Sequence, residues 1–321
     1  ISQINNNYIR INKNYTMTLQ QLQYIMALDT ERNFVRAADK CFVTQPSLTM
    51  QVRKLEDELG VKIFDRSKKP LIPTPLGEKL VEQARTILKE SSRMKELINE
   101  NQGKLEGELK IGIIPTLAPY LLPLFVADFE ANYPQIRLVV QELHTDLIVE
   151  RLRRDQLDLG ILVTPLHEKG IQESVLFNEL MFGYVGKDHR LFSKKKITMS
   201  DLDLDDTWLL SEGHCLRGQV LNICKTKKEH DSHSFVFESG SLETLERLVE
   251  KHKGMTILPF LATLNLTTSQ RELLREFSGV APVREVSFTT NRVDVKTAMI
   301  DALRKTIIKS IPQKLLKSEG Q

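Results

Sequence analysis

The hydrophobic pattern of the chain changes at Leu109, and this change limits the folds that the whole sequence can adopt. Before it, apolar residues recur every three or four positions, which indicates helices; after it, short apolar runs alternate with helical segments. Strands separated by helices of this length predict parallel strand–helix–strand units. We therefore expect a helical N-terminal region and then an α/β region of two subdomains with a cleft between them.

The strands of the α/β region are predicted from apolar runs bounded by turn residues. They are expected at 109–114, 137–142, 159–163, 181–185, 207–210, 235–237, 256–258 and 283–289. Helices are expected after Tyr120, from Thr145, over 242–252 and over 295–311. Ligands of open α/β sheets bind at the carboxyl ends of strands, which places Pro115-Thr116, His144-Thr145 and Val163-Thr164 at candidate pocket edges, although a lone Thr is more often a helix cap.

The composition is that of a globular protein without a membrane segment. Of 321 residues, 41% are hydrophobic and 27% are charged, and no apolar run approaches 18 residues. The first sixteen residues are rich in Asn and lack the apolar stretch of a signal peptide. We therefore expect a disordered extension over 1–16 and a protein that stays in the cytoplasm, where thiols are kept reduced.

A helix-turn-helix is predicted near the N-terminus. The segment from Arg32 to Lys69 contains nine Lys or Arg but only five Asp or Glu, and so carries a local excess of positive charge. Thr44 is a cap for a helix that begins Gln45-Pro46-Ser47, with Pro in the first turn. Leu48, Val52 and Leu55 share its inner face, which leaves short polar side chains and Arg53 outside, as a major-groove recognition helix requires. The alternative is a small helical bundle with solvated basic residues.

Two short strands joined by a basic tip follow the third helix, over residues 62–69 and 71–74. This arrangement predicts a winged helix-turn-helix whose tip meets the phosphate backbone. The predicted DNA contacts are Arg36, Thr44, Gln45, Pro46, Ser47, Thr49, Arg53, Arg66 and Lys68.

Pro75 opens a long helix in which apolar positions alternate in steps of four and three. The positions are Leu80, Ala84, Ile87, Ser91, Met94 and Ile98. Such a heptad seam predicts a coiled-coil dimer, and a two-fold protein is expected to bind a pseudo-palindromic DNA site. A helix that packs on its own domain is the alternative. The predicted domains are a winged helix-turn-helix over 17–75, a linker helix and hinge over 76–103, an α/β domain over 104–312 and a tail over 313–321.

Cys215 and Cys224 stand nine positions apart, and Cys215 lies between His214 and Arg217 in the segment Gly213-His214-Cys215-Leu216-Arg217. Two neighbouring cations and a helix N-terminus would lower the pKa of the Cys215 thiol and favour attack on a peroxide. The sulfenic acid so formed condenses with a second thiol, for which Cys224 is available. On a helix the two sulfurs would lie roughly 13 Å apart along the axis, so a disulfide would require the helix to unwind.

Two other interpretations of these cysteines remain open from the residues alone. Free cysteines on a helix are commonly small core residues. A zinc site with Cys215, Cys224, His230 and His233 is conceivable, although its spacing matches no closed four-ligand pattern.

Several of these segments together resemble the LysR-type transcriptional regulators over nearly all of residues 17–312, and the cysteine segment resembles the peroxide-sensing members of that family. The segments that carry the resemblance are Phe34, 37–38, 44–48, 53–56, 114–116, 119–123, 213–217, Cys224 and 241–245. The resemblance implies a winged helix-turn-helix, a long linker helix and a periplasmic-binding-protein-like effector domain of two α/β subdomains.

The resemblance also implies roles for individual residues. Cys215 would be the peroxidatic and Cys224 the resolving residue, with Thr116, Thr145 and His214 positioning hydrogen peroxide and Arg217 steadying the thiolate. Cys41 is expected to be a core residue. Gly218 departs from the acidic residue that the family often has, which leaves open how the segment is held.

The expected function is therefore a cytoplasmic, peroxide-responsive regulator of transcription that is not an enzyme and needs no cofactor or metal. Its implied partners are double-stranded DNA, a homodimer or homotetramer and RNA polymerase. One alternative is a LysR-type regulator that binds a small metabolite in the cleft, with incidental cysteines. Another is a thiol peroxidase with an accessory DNA-binding domain.

Overall fold

The computed structural model describes residues 17–101, 105–223, 240–291 and 296–316, and the chain divides into two compact units between Ile98 and Asn99. The first unit contains α1 (Leu19–Glu31), α2 (Phe34–Lys40), α3 (Gln45–Leu59), β1 (Phe64–Asp65), β2 (Ile72–Pro73) and most of α4 (Pro75–Asn101). The antiparallel pair β1–β2 is the wing, so the predicted winged helix-turn-helix is confirmed.

Local sequence explains where these helices begin. The side chains of Thr18, Asn33 and Thr44 each accept a hydrogen bond from a backbone N–H of the first turn of α1, α2 and α3 respectively. Leu48, Val52 and Leu55 are fully buried on one face of α3, as their spacing predicts. The opposite face of α3 is thereby left at the surface.

The predicted seam of α4 divides into two parts with different surroundings. Ala84 is 2% exposed inside the core of the winged domain, and Leu80 and Ile87 pack against that core. Met94 and Ile98, by contrast, are 68% and 57% exposed. The first half of the seam therefore contributes to the core of its own domain and the second half lies at the surface, while the coiled-coil dimer stays a prediction.

The second unit is an α/β structure built around eight strands. Its elements are β3 (Gly107–Ile113), α5 (Ala118–Asn132), β4 (Ile136–Glu142), α6 (Thr145–Arg153), β5 (Leu159–Thr164), β6 (Gln172–Val185), β7 (Lys196–Ile197), α7 (Cys215–Ile223), α8 (Leu242–Lys251), β8 (Met255–Pro259), α9 (Thr268–Arg271), β9 (Leu274–Phe277), β10 (Val283–Thr290), α10 (Thr297–Ser310) and α11 (Gln313–Leu316).

The strand order is β4-β3-β5-β10-β6-β9-β7, and β8 also pairs with β6. The pairs β3–β4 and β3–β5 are parallel, as the alternating pattern predicts, whereas β10 runs antiparallel to β5 and β6. The 14-residue strand β6 pairs with β10 through its first part and with β8 through its last five residues. β6 therefore passes from one subdomain into the other.

Two separate hydrophobic cores define the two subdomains. The first lobe is built around β3, β4, β5, α5, α6 and α10, and the second lobe around the end of β6 with α7, α8 and β8. The α/β fold class and its two subdomains are thus confirmed. Residues 313–316, expected in a tail, form α11, because Leu315 is buried in the core of the first lobe.

The structure differs from the expected strands at four places. Strand β6 begins at Gln172, nine residues before the expected start, because its first part pairs with β10. Residues 207–210 form no strand, and only Thr207 makes an isolated bridge, to Met255. Strands β7 and β9 were not predicted, because each is too short to show a pattern. The predicted strand over 235–237 lies outside the described residues, as do Cys224, His230 and His233 and the segments 1–16, 102–104 and 317–321. In the described part of the chain, no helix is long and apolar enough to span a membrane.

Candidate functional site

Cys215 is the first residue of α7 and lies between the two lobes. Leu216 and Val220 on the same helix are buried in the core of the second lobe, whereas Cys215 packs against the core of the first lobe. The preceding Gly213 has a φ of +89°, a backbone conformation that favours glycine and that turns the chain into α7. The predicted helix at Cys215 is thereby confirmed, and its first turn carries the thiol.

The surroundings of Cys215 act on its pKa in opposite directions. Burial raises the pKa of the thiol, while Arg284, the Thr145 hydroxyl and the N–H groups of Cys215 and Leu216 lower it. The balance is a pKa above the ordinary value, so the prediction of a depressed thiol pKa is wrong. Desolvation outweighs the positive groups because most of the side chain is enclosed by protein. The resting thiol is consequently protonated at neutral pH.

His214 does not supply the positive charge that its position in the sequence predicts. Burial and the neighbouring His144 both lower the pKa of His214, so that its ring is neutral at pH 7. The two rings are in edge-to-face contact, with centroids 4.6 Å apart and planes inclined by 80°. His214 therefore precedes Cys215 in the chain as a neutral imidazole.

Arg217 is directed toward the second lobe. Its Nη1 donates to the carbonyl oxygen of Leu210 at 3.1 Å, which holds the start of α7 against the preceding segment. The cation that lowers the pKa of Cys215 is Arg284. Arg284 is distant from Cys215 in sequence, and the role of Arg217 at the thiolate stays a prediction.

Arg284 on β10 was missed by sequence reasoning, and it links several parts of the site. It is 1% exposed, and its Nε donates to Glu179 Oε2 at 2.7 Å. Its Nη1 donates to Thr116 Oγ1 at 3.1 Å and its Nη2 to the Thr116 carbonyl oxygen at 3.2 Å. Glu179 in turn accepts from the N–H of Leu261. A buried arginine held by three acceptors is a fixed positive charge.

The arrangement leaves polar atoms near the thiol with unused hydrogen-bonding capacity. Among the described residues, the buried Thr145 Oγ1 makes no hydrogen bond of ordinary geometry, although it is close enough to Cys215 to lower the pKa of the thiol. Gln219 Oε1, one turn along α7 from Cys215, is likewise buried without a partner within the described ranges. Unpaired buried polar atoms are uncommon in folded proteins, and they suit a small polar molecule that donates and accepts hydrogen bonds.

A second group of ionisable residues lies on α8. Glu246 is 8% exposed, and burial together with Glu243 and Glu250 raises its pKa to about 7. Glu250 accepts a hydrogen bond from the hydroxyl of Tyr184 at 2.9 Å. One helix face thus carries three carboxyl groups, of which the middle one is buried.

The outer face of α3 is available for a partner. Gln45, Pro46, Thr49, Met50 and Arg53 line a surface concavity of about 390 Å³. Thr44 accepts from the N–H of Ser47 at 3.4 Å and so acts as the helix cap. The residues predicted to meet base edges therefore share one surface.

The remaining predicted DNA contacts lie on α2 and on the wing, and they differ in their surroundings. Arg36 and Lys68 are exposed, as a phosphate contact requires. Arg66 donates to the buried Glu56 at 3.0 Å and lies over the ring of Phe34, 5.3 Å from its centroid. Arg66 therefore connects the wing to α3, and Lys68 is the better candidate for a contact with the DNA phosphate backbone.

Comparison with known proteins agrees with this architecture. Residues 19–78 match the family described as bacterial regulatory helix-turn-helix protein, lysR family. Residues 102–311 match the family described as LysR substrate binding domain. Together the two matches cover the winged domain and both lobes.

Individual relatives are similar along most of their length. A hydrogen peroxide-inducible genes activator from Haemophilus influenzae is 40% identical over 251 residues, which are 78% of this chain and 82% of that protein. A full-length OxyR variant from Pseudomonas aeruginosa is 35% identical, with a TM-score of 0.75 over 92% of this chain and 99% of that one. A hydrogen peroxide-bound cysteine-to-serine variant of Corynebacterium glutamicum OxyR is 26% identical, with a TM-score of 0.58 over 93% and 94%. The chain therefore belongs to the LysR family of transcriptional regulators and, within it, to the OxyR group.

Proposed function

We propose that this protein is a peroxide-sensing, DNA-binding transcriptional regulator that is switched by oxidation of Cys215 and by disulfide formation with Cys224. The genes it controls would be those of the oxidative stress response. The observation that carries the proposal is the position of Cys215, at the start of α7 between two lobes, beside the Thr145 hydroxyl and the fixed charge of Arg284. Relatives named as hydrogen peroxide-inducible activators support the same conclusion.

The first step is a displacement at oxygen. The thiolate sulfur of Cys215 attacks one peroxide oxygen, the O–O bond breaks, and the second oxygen leaves as hydroxide, which takes up the thiol proton to become water. The fixed charge of Arg284 would stabilise the anionic sulfur as it forms. Thr116 would have a defined position in this step because Arg284 holds both its hydroxyl and its carbonyl oxygen.

In the second step the thiol of Cys224 attacks the sulfenic sulfur, the S–O bond breaks and a second water is released. Two thiols and one peroxide thus give one disulfide and two waters. Because α7 is helical from Cys215 to Ile223, residues nine positions apart would be separated by roughly 13 Å along its axis. A disulfide needs Cα atoms within about 7 Å, so α7 would have to unwind when the bond forms.

The reduced protein and the oxidised protein would therefore differ in the segment that follows Cys215, which is what a regulator needs to report peroxide. We propose a cytoplasmic protein that binds a pseudo-palindromic operator as a dimer or tetramer and acts on RNA polymerase. Its chemistry would consume one peroxide for each switching event, without turnover, cofactor or metal. The exposed residues of α3 and the basic Lys68 of the wing support the DNA-binding part.

Thiol titration before and after one equivalent of hydrogen peroxide tests the proposal. We expect the loss of two thiols per chain, no further peroxide consumption with a reductant present, and an altered protease pattern after residue 215. Cys215→Ser is the control that should lose no thiol. No thiol loss in the wild type would favour a regulator that binds a metabolite in the cleft. Sustained consumption with a thiol reductant would favour a peroxidase.

A further inference from the structure

His144 and His214 join the two lobes beside the reactive thiol. Their ring centroids are 4.6 Å apart, in an edge-to-face arrangement. His144 occupies the N-cap position of α6, whose Ile148 and Leu152 are buried in the first lobe. His214 directly precedes α7, which is anchored in the second lobe. The ring contact therefore bridges the starts of two helices that belong to different cores.

Each histidine immediately precedes a residue of the peroxide site. His144 is followed by Thr145, whose hydroxyl acts on the thiol, and His214 is followed by Cys215. The two rings in contact thus belong to the chain neighbours of Thr145 and Cys215. The backbone before His214 is also close to the His144 ring: a Cβ added at Gly213 would lie 3.7 Å from His144 Nδ1.

A simpler role for His144 would be to cap the N-terminus of α6, but the structure does not support a capping role. The His144 side chain makes no capping hydrogen bond to the first turn of α6. Its ring is exposed to solvent on one side and meets the buried His214 on the other. An exposed aromatic ring that contacts a buried ring of the site is placed to restrict the orientation of that ring.

We propose that His144 is a positioning residue for the peroxide reaction: its ring holds the imidazole of His214, and with it the start of α7, in the orientation that reacts. This inference rests on the peroxide-sensing function proposed above. The contribution comes from the ring contact and not from helix capping. Loss of the ring should then slow the reaction at Cys215 by about tenfold, as the loss of one positioning contact commonly does.

Two substitutions separate the ring contact from helix capping. His144→Asn removes the ring but supplies one of the best N-cap side chains, so a capping role predicts a normal or more stable protein. His144→Phe keeps an aromatic ring and cannot cap. The matched control is His252→Ala, which removes an exposed histidine that follows α8 in the second lobe.

The measurement is the second-order rate of sulfenic acid formation, followed with a dimedone-type label in full-length protein that carries Cys224→Ser. Alkylation of Cys215 by iodoacetamide, which needs a thiolate but no bound peroxide, is measured in parallel. We expect His144→Asn to react with peroxide about tenfold more slowly and to be alkylated at nearly the wild-type rate. His144→Phe should restore most of the peroxide rate, and His252→Ala should behave as wild type.

A wild-type peroxide rate in His144→Asn would overturn the positioning role, as would a rate in His144→Phe as low as in His144→Asn. An equal loss in peroxide reaction and alkylation would also overturn it, because the ring would then act on the thiol itself. These outcomes all assume that the wild type reacts. A wild type that forms no sulfenic acid would instead contradict the proposed function.

Discussion

Arg284 donates one hydrogen bond to the hydroxyl and another to the carbonyl oxygen of Thr116, although 168 positions separate the two residues. The guanidinium is buried and also pairs with Glu179, so it cannot turn away from Thr116 without leaving a carboxylate unpaired. One fixed charge thus defines the position of the Thr116 hydroxyl and acts on the thiol of Cys215. The site is organised around this arginine.

The role of Arg284 predicts separate effects on stability and on reactivity. Arg284→Met should lower the free energy of unfolding by about 3 to 5 kcal/mol, because the buried Glu179 carboxylate would lose its positively charged partner. The double variant Arg284→Met with Glu179→Gln should recover much of that stability, since the amide oxygen can still accept from Leu261. Urea unfolding measures the free energy of unfolding of both variants and of the wild type.

The same pair of variants tests the chemical role. The peroxide reaction should remain at least about tenfold slower in the double variant than in Glu179→Gln alone, because only the former lacks the positive charge. Equal rates in a stably folded double variant would show that Arg284 has a structural role only.

The raised pKa of Cys215 predicts a reaction that accelerates with pH. Because the thiol is protonated at neutral pH and the thiolate is the nucleophile, the rate should rise by about tenfold for each pH unit below the pKa of the thiol. Stopped-flow measurement between pH 6 and 9 checks this, with Cys215→Ser as the blank. A rate that is already constant between pH 6 and 8 would mean that the thiol is ionised in the resting protein.

Glu246 predicts a stability that declines as the pH rises. Its pKa in the folded protein is about 7, above the ordinary 4.5, so folding favours the protonated carboxyl. The stabilisation is fully present below about pH 4.5 and is lost as the pH rises through 7. With allowance for solvent screening, the loss between pH 5 and 8.5 should be on the order of 2 kcal/mol.

Glu246→Gln should remove most of that loss, because a neutral amide replaces the carboxyl at every pH. The control is Glu130→Gln, which changes an exposed carboxyl on α5. Urea unfolding at pH 5, 7 and 8.5 compares the three proteins. The same pH dependence in Glu246→Gln and in the wild type would place the responsible group elsewhere.

The two halves of α4 should respond differently to an introduced carboxylate. Ile87→Asp should destabilise the winged domain by about 2 to 4 kcal/mol, because Ile87 packs on that domain's core. Met94→Asp should leave the domain folded, since Met94 is largely exposed, but should weaken self-association if the end of α4 is the dimer contact. Thermal unfolding and sedimentation velocity distinguish the two effects. Unchanged association in Met94→Asp would place the contact on another surface.

Arg53 should contribute to DNA affinity through its charge on the outer face of α3. Arg53→Ala is expected to weaken operator binding and, if the lost contact is to a phosphate, to reduce the salt slope by about one. Arg137→Ala serves as control, because that arginine is 80% exposed on the first lobe. Binding titrations at several salt concentrations check this. If Arg53→Ala and Arg137→Ala bind alike, Arg53 lies outside the interface.

The amino-acid sequence by itself determined the elements and their caps. The spacing of Leu48, Val52 and Leu55 fixed the buried face of α3, and Thr44 marked its beginning, because helix periodicity and capping depend on residues within a few positions of each other. Local patterns of apolar residues likewise predicted the parallel strands of the first lobe and the helix that starts at Cys215. These features need no knowledge of distant parts of the chain.

Only the tertiary structure decided the electrostatics of the site and the surroundings of α4. The sequence next to Cys215 offered His214 and Arg217 as cations, but burial makes His214 neutral and Arg217 is directed to Leu210. The charge that acts on the thiol comes from Arg284, on a strand that only folding brings near. Ionisation depends on desolvation and on groups within a few ångströms, whatever their separation in sequence, so adjacency along the chain could not predict it.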